Sequence, residues 1–208
     1  MAVIGTIVIC RTRTPSHPQN VTSATHINPT VASSELNRLI ARLASALPNG
    51  IILPQEASLF KDATHSYWAQ QACEAVPSCV VQPCNAQELS KAVKILKDKF
   101  DATETQSVGG VTTGLFAIRG GGHSPLPGAS SISGGVLIDL RQLNEVKPSE
   151  DGSSVVIGAG AKWMDVSKVL DAKGLAVVGG RNSAVGVGGL TLGGEFSILG
   201  CLHKPSRS

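Results

Sequence analysis

Two glycine-rich stretches constrain this chain more than any other feature of it. One reads "FAIRGGGHSP", residues 116–125, and the other "RNSAVGVGGLTLGG", residues 181–194. Each follows an apolar run of strand character, "LFAIR" and "LAVVGG". Glycine favours neither helix nor strand, so such runs are loops. A tight turn accounts for a single glycine cluster. Two clusters about 65 residues apart, each behind a strand, point further. Backbone N–H groups in a bare loop can converge on an anion, because no Cβ stands in the way. A strand followed by such a loop is a common holder of a diphosphate. His123 lies within the first loop and faces whatever it cradles. An imidazole there can donate to a phosphate, act as a base, or attack an electrophilic carbon, and a hydrogen-bonded structural histidine is the alternative.

Two standard nucleotide motifs fail. A P-loop needs Gly-Lys-Ser/Thr after its glycines, and the chain has none. The spacing of Gly186, Gly188 and Gly193/Gly194 misses G-x-G-x-x-G, and "RGGGHS" leads into a proline-containing loop rather than a helix. His17, His26, His65 and His203 show no ligand spacing. The five cysteines, Cys10, Cys73, Cys79, Cys84 and Cys201, do not form a zinc pattern. They read as free thiols, with Cys73–Cys79 or Cys79–Cys84 disulfides open to an exported protein. The sequon Asn20-Val21-Thr22 matters only in that same case.

The remaining segments alternate helix and strand. "SSELNRLIARLASALP" places Leu36, Leu39, Ile40, Leu43 and Leu47 on one helical stripe, ended by Pro48-Asn49-Gly50. "IIL" is extended, and Tyr67 and Trp68 read as packing anchors. "SCVVQP", residues 78–83, is a buried strand. Asn85 and Glu88 form a capping box for a helix carrying Leu89, Val93, Leu96 and Phe100. "VLIDL" and "SSVVIGAG" are strands, and "LAVVGG" is expected to be a further one. "KWMDVSKVLDAKG" is a helix with Trp163, Val166 and Leu170 inward, stopped by Gly174. Several strands follow one another without an intervening helix, so the fold class is α+β rather than doubly wound. With 42% apolar and 16% charged residues, the chain can build a core. A net charge of +3 without a basic patch excludes nucleic acid as an expected partner. No apolar run reaches the roughly 20 residues of a membrane span. The opening "MAVIGTIVICRTRT" is a poor secretory signal, so no localisation follows.

Taken together, "FAIRGGGHSPLPGASSISGGVLIDLRQLN", "VVIGAGAKWMDVSKVL" and "VVGGRNSAVGVGGLTLGG" resemble, in order, the flavin-binding segments of the vanillyl-alcohol oxidase / p-cresol methylhydroxylase superfamily. The berberine-bridge-enzyme-like branch is the nearest. "SYWAQQACEAVPSCVVQPCNAQELSKAVKIL" is similar to that domain's opening, and the likeness runs over about residues 60–194. It implies a PCMH-type FAD-binding domain of two α+β subdomains with the FAD diphosphate between them. By position, Arg119, Gly120, Gly121, Gly122, His123 and Ser124 would form the first diphosphate loop. Gly188, Gly189, Leu190, Thr191, Gly193 and Gly194 would form the second flavin-contacting segment, and Pro83 would line the adenine end. His123 takes the place through which many members bond the flavin 8α-methyl. Doubly bonded members carry a cysteine where Asn182 stands here, so a covalent link would be single.

The resemblance implies hydride transfer from a small organic alcohol or amine to the flavin, with oxygen as acceptor. After Gly194 the sequence "EFSILGCLHKPSRS" departs from the family pattern. The expected organisation is a poorly ordered leader at 1–32, a helix and connecting segment at 33–75, the FAD-binding domain at 76–194 with its second subdomain incomplete, and a non-family tail at 195–208. On that expectation the chain is a C-terminally truncated member, and no catalytic residue is assigned. A non-catalytic FAD-binding fragment is the alternative. A third reading, a cell-wall-precursor reductase with non-covalent FAD, is disfavoured by the histidine after the glycines.

Overall fold

The computed structural model describes residues 29–101, 107–108, 111–112, 115–126 and 128–193. In chain order the elements are α1 (Pro29–Ala46), β1 (Ile51–Ile52), α2 (Ala57–His65), α3 (Gln70–Cys73), β2 (Cys79–Val81), α4 (Ala86–Asp101), β3 (Ser107–Val108), β4 (Val111–Thr112), β5 (Phe116–Arg119), β6 (Val136–Asp139), β7 (Val146–Pro148), β8 (Val155–Ile157), α5 (Trp163–Asp171) and α6 (Val187–Gly193). Helix α1 begins inside the stretch expected to lack order. The rest of that leader, and the tail after Gly193, lie outside the described residues.

The first lobe is a four-stranded sheet in the order β1-β2-β6-β5. Strands β2, β6 and β5 run parallel, and β1 pairs antiparallel to β2. Parallel strands covered on both faces read as unbroken apolar runs, which is why "CVV" and "VLI" show no alternation. Their successive side chains nevertheless part company. Cys79, Val81, Val136 and Ile138 point to the face covered by α1 and α4, meeting Leu39, Leu43, Leu47, Ala92 and Leu96. Val80 and Leu137 point to the other face, against Ala63 of α2 with Phe60 beside it. The α4 cap is as expected: Asn85 Oδ1 accepts from Glu88 N at 2.9 Å, and Glu88 Oε2 accepts from Cys84 N at 2.8 Å. Leu96 is fully buried, but Ala92 shares its place while Leu89 and Val93 are half-buried. The Phe100 side chain lies outside the described set.

A second, smaller lobe holds the β7–β8 hairpin and α5. Trp163, Val166 and Leu170 are buried there, as the helical spacing predicts, with Ala161 and Val187. Gly174 adopts φ +65 and Leu175 N returns to Leu170 O at 3.0 Å, which ends α5. The strand expected at "LAVVGG" does not form. Its Leu175 and Val177 pack on the α5 cluster, and Gly179 and Gly180 lie against the Trp163 indole. The Leu175 and Val177 side chains anchor the segment to the α5 cluster, and it joins no sheet among the described residues.

Cys73, Cys79 and Cys84 are all free thiols, and Cys10 and Cys201 lie outside the described residues. Burial in the sheet pushes the Cys79 thiol up to about 12. Cys84 is exposed. Iodoacetamide at about pH 8 is therefore expected to label Cys84 in the folded protein and spare Cys79, because only the thiolate reacts. Peptide mass spectrometry reads the outcome, and equal labelling of the two would contradict this packing.

Candidate functional site

Strand β5 delivers the first glycine loop at the sheet's edge, and the chain brings the second loop directly against it. A Cβ built on Gly121 would run into the backbone of Gly186, and one on Gly186 into the backbone of Gly121. A Cβ built on Gly120 would lie 3.3 Å from Ala159 O and 3.9 Å from Gly189 N. The two loops thus join the two lobes by bare backbone contact. Gly122 is glycine for a different reason: it turns the chain at φ +67. Its carbonyl accepts from Trp68 N at 3.1 Å. Helix α6 takes up most of the second segment. Gly188 sits against Ala159 O, and Leu190 packs on the second lobe's core. Thr191 and Gly193 are exposed. Gly189 and Gly193 have nothing within 4 Å of a built Cβ. Gly194 lies outside the described residues.

His123 follows Gly122, half-buried, with its ring stacked on Trp68 at 4.9 Å between centroids and 18° between planes. His123 Nε2 is buried and has no hydrogen-bond partner. Ser124 Oγ accepts from Leu126 N at 3.3 Å, within its own turn. Tyr67 and Trp68, expected together as packing anchors, divide the work. Tyr67 donates to Ser130 O at 2.7 Å and lies under the Arg119 guanidinium at 4.5 Å. Burial pushes its phenol up, and the Arg119 charge opposes that shift. Trp68 is 64% exposed and covers the imidazole instead.

The Arg119 side chain turns away from the glycines into the first lobe. It is 2% exposed and donates to Ala63 O at 2.5 Å and to Asp139 Oδ2 at 2.6 Å. Asp139 is fully buried at the end of β6, in register with Arg119. The same carboxylate oxygen receives Arg141 Nε at 2.6 Å and Gln82 Nε2 at 2.9 Å. Arg141 continues outward to Asp62 and to Ser66 Oγ. This node holds the end of α2 against the tips of β5 and β6. The side-chain part of Arg119 is therefore engaged inside the lobe, which leaves its backbone to the loop. Pro83, placed at the adenine end by the resemblance, is fully buried behind β2.

The FAD binding domain family matches residues 77–206, well over half of the chain and past Gly194 into the stretch that the resemblance left aside.

The chain belongs to the FAD binding domain family.

Relatives agree. The chain is 42% identical over 162 residues to the FAD-dependent monooxygenase prx3 of Penicillium roqueforti, covering 77% of this chain and 29% of that one. Among solved structures it is similar to 6-hydroxy-D-nicotine oxidase from Arthrobacter nicotinovorans, with 30% identity, TM-score 0.54, and 68% of this chain against 28% of that one. Berberine bridge enzyme gives 21% identity and TM-score 0.63 over 78% of this chain and 32% of that one, a likeness of fold. The α+β architecture is thus the PCMH-type FAD-binding fold, and the chain spans less than a third of the length of these proteins. Its geometry fits the family's cofactor. A buried ring nitrogen lacks a partner in the first of two joined glycine loops, and in the second a Cβ built on the exposed Gly189 would meet nothing within 4 Å. Among the described residues no group of three or more His, Cys, Asp or Glu could hold a metal ion. No described helix is long and apolar enough to cross a membrane.

Proposed function

We propose that this chain is the FAD-binding part of an FAD-dependent oxidoreductase and that it anchors the flavin covalently through His123. The observation that carries this reading is the buried, unpartnered Nε2 of His123 beside the joined loops. A structural histidine in such a place would hydrogen-bond, because an unsatisfied buried nitrogen costs about 1–3 kcal/mol. The backbone of residues 119–124 would hold the diphosphate from one lobe. Gly188, Gly189, Leu190, Thr191, Gly193 and Gly194 would meet the flavin from the other. When bound, the flavin accepts hydride from a small organic alcohol or amine, and oxygen reoxidises it.

The experiment is a visible spectrum before and after acid precipitation. The purified chain, incubated with FAD, is expected to keep flavin absorbance in the precipitate. His123→Ala is expected to move all of it to the supernatant. Flavin retained in the His123→Ala precipitate would refute the anchor, and a wild-type chain that takes up no flavin would refute FAD binding. A yellow chain that turns over no alcohol or amine would be a binding module, the second reading that its share of the relatives' length supports.

A further inference from the structure

The contact between Trp68 and His123 is unlike the rest of the aromatic packing. A tryptophan 64% exposed contributes little to a core, yet both its neighbours and its backbone are held. Tyr67 is fixed at both ends, by Ser130 O and by the Arg119 guanidinium. The Trp68 N–H is tied to Gly122 O, one residue before His123. The indole is thus set against the imidazole by the anchored Tyr67 before it and by its own N–H bond to Gly122 O. His123 Nε2, meanwhile, has no hydrogen bond to orient the ring.

Those two facts have a common chemical meaning. The lone pair of an imidazole nitrogen lies in the plane of the ring. A hydrogen bond would orient the ring but occupy a nitrogen. A stacked aromatic orients the plane, shields one π-face, and leaves the in-plane lone pair free. We propose that Trp68 is a positioning residue that fixes the plane of His123 for attack on the flavin 8α-carbon. This rests on the reading of His123 as the anchor. In the net step one methyl C–H bond breaks and one C–N bond forms. The methyl group and the imidazole N–H each lose one hydrogen, and dioxygen accepts both, with two electrons, as hydrogen peroxide. Trp68 touches only the imidazole and acts through it.

The test uses the full chain with Trp68→Ala, Trp68→Leu and Trp68→Phe. One readout is the rate at which acid-stable flavin accumulates with excess FAD. The other needs no flavin: carbethoxylation of His123 by diethyl pyrocarbonate, followed by peptide mass spectrometry. Trp68→Ala and Trp68→Leu are expected to slow flavin attachment about tenfold to a hundredfold, the scale of a displaced reacting group. They are expected to speed carbethoxylation, since Nε2 is buried in the folded chain and removal of the adjoining indole opens a path to it for a small reagent. Trp68→Phe keeps a stacking ring and should restore most of both. Opposite movement of the two rates supports positioning. Rates that fall together, or that do not move, overturn it, as does a Trp68→Phe variant no better than Trp68→Leu. If the wild-type chain takes up no flavin, the anchor reading fails by itself. The carbethoxylation rates then decide alone, and equal rates in wild type and Trp68→Ala overturn the shielding.

Discussion

Asp139→Ala is expected to lower the unfolding free energy by about 3–5 kcal/mol, the usual loss when one member of a buried ion pair is removed. Asp139 is fully buried, and one of its oxygens receives Arg119, Arg141 and Gln82. Without it the Arg119 guanidinium, 2% exposed, keeps only Ala63 O and the Tyr67 ring. A cation in that position has neither water nor a counter-charge. Arg141 suffers less, because it is partly exposed and retains Asp62. The loss should therefore follow Arg119. Replacing both Arg119 and Asp139 by apolar residues of similar size is expected to recover much of the stability, since no charge is then stranded. Urea denaturation with linear extrapolation measures both variants. A midpoint for Asp139→Ala within error of wild type would show that the node contributes nothing. The effect reaches the site, because Arg119 holds Tyr67 and the end of α2, and Trp68 follows Tyr67.

That node was the least legible part of the molecule. The sequence displays Arg119 beside the glycines, which invites a role in the loop. It displays Asp139 as the last residue of an apolar strand. A carboxylate ending a buried strand requires a cation, and that demand was readable from "VLID". Which cation meets it depends on the parallel pairing of β5 with β6, and no local pattern encodes that pairing. The same holds for Trp68 and His123, which only the position of α2 brings together. Helix α2 itself escaped notice because its apolar stripe is short and follows a proline. By contrast, α4 and α5 were legible from spacing and caps, and β2, β5, β6 and β8 from their apolar runs. The strand expected at "LAVVGG" shows the limit of such runs: β-branched residues favour a strand, but an edge to pair with decides whether one forms. The first glycine stretch was legible as a loop and as the setting of His123, whereas half of the second folds as α6, which its glycines did not signal. The meeting of the two through Gly121 and Gly186 was not legible either.

The two lobes meet at that point, so Gly121→Ala is expected to destabilise the protein by about 1–3 kcal/mol or more and to abolish FAD uptake. The new Cβ would strike backbone atoms of Gly186, which cannot rotate aside as a side chain can. The loops must separate, and the backbone of residues 119–124 proposed to hold the diphosphate is displaced with them. Gly186→Ala should do the same from the other side. Once the loops are apart, the second Cβ meets little, so the double variant should lose clearly less than the sum of the singles. Additive losses would mean that the two glycines act independently and that the contact does not join the lobes. Gly189→Ala separates folding from binding. It lies in α6, and a built Cβ there meets nothing within 4 Å. Alanine is a better helix former than glycine by about 0.8–1.0 kcal/mol, so this variant should fold at least as well as wild type. It should nevertheless take up less FAD, because the methyl group enters the room proposed for the flavin. Unfolding midpoint and flavin absorbance would then move in opposite directions for Gly189→Ala and together for Gly121→Ala. A Gly189→Ala chain that binds FAD as wild type would place the flavin elsewhere.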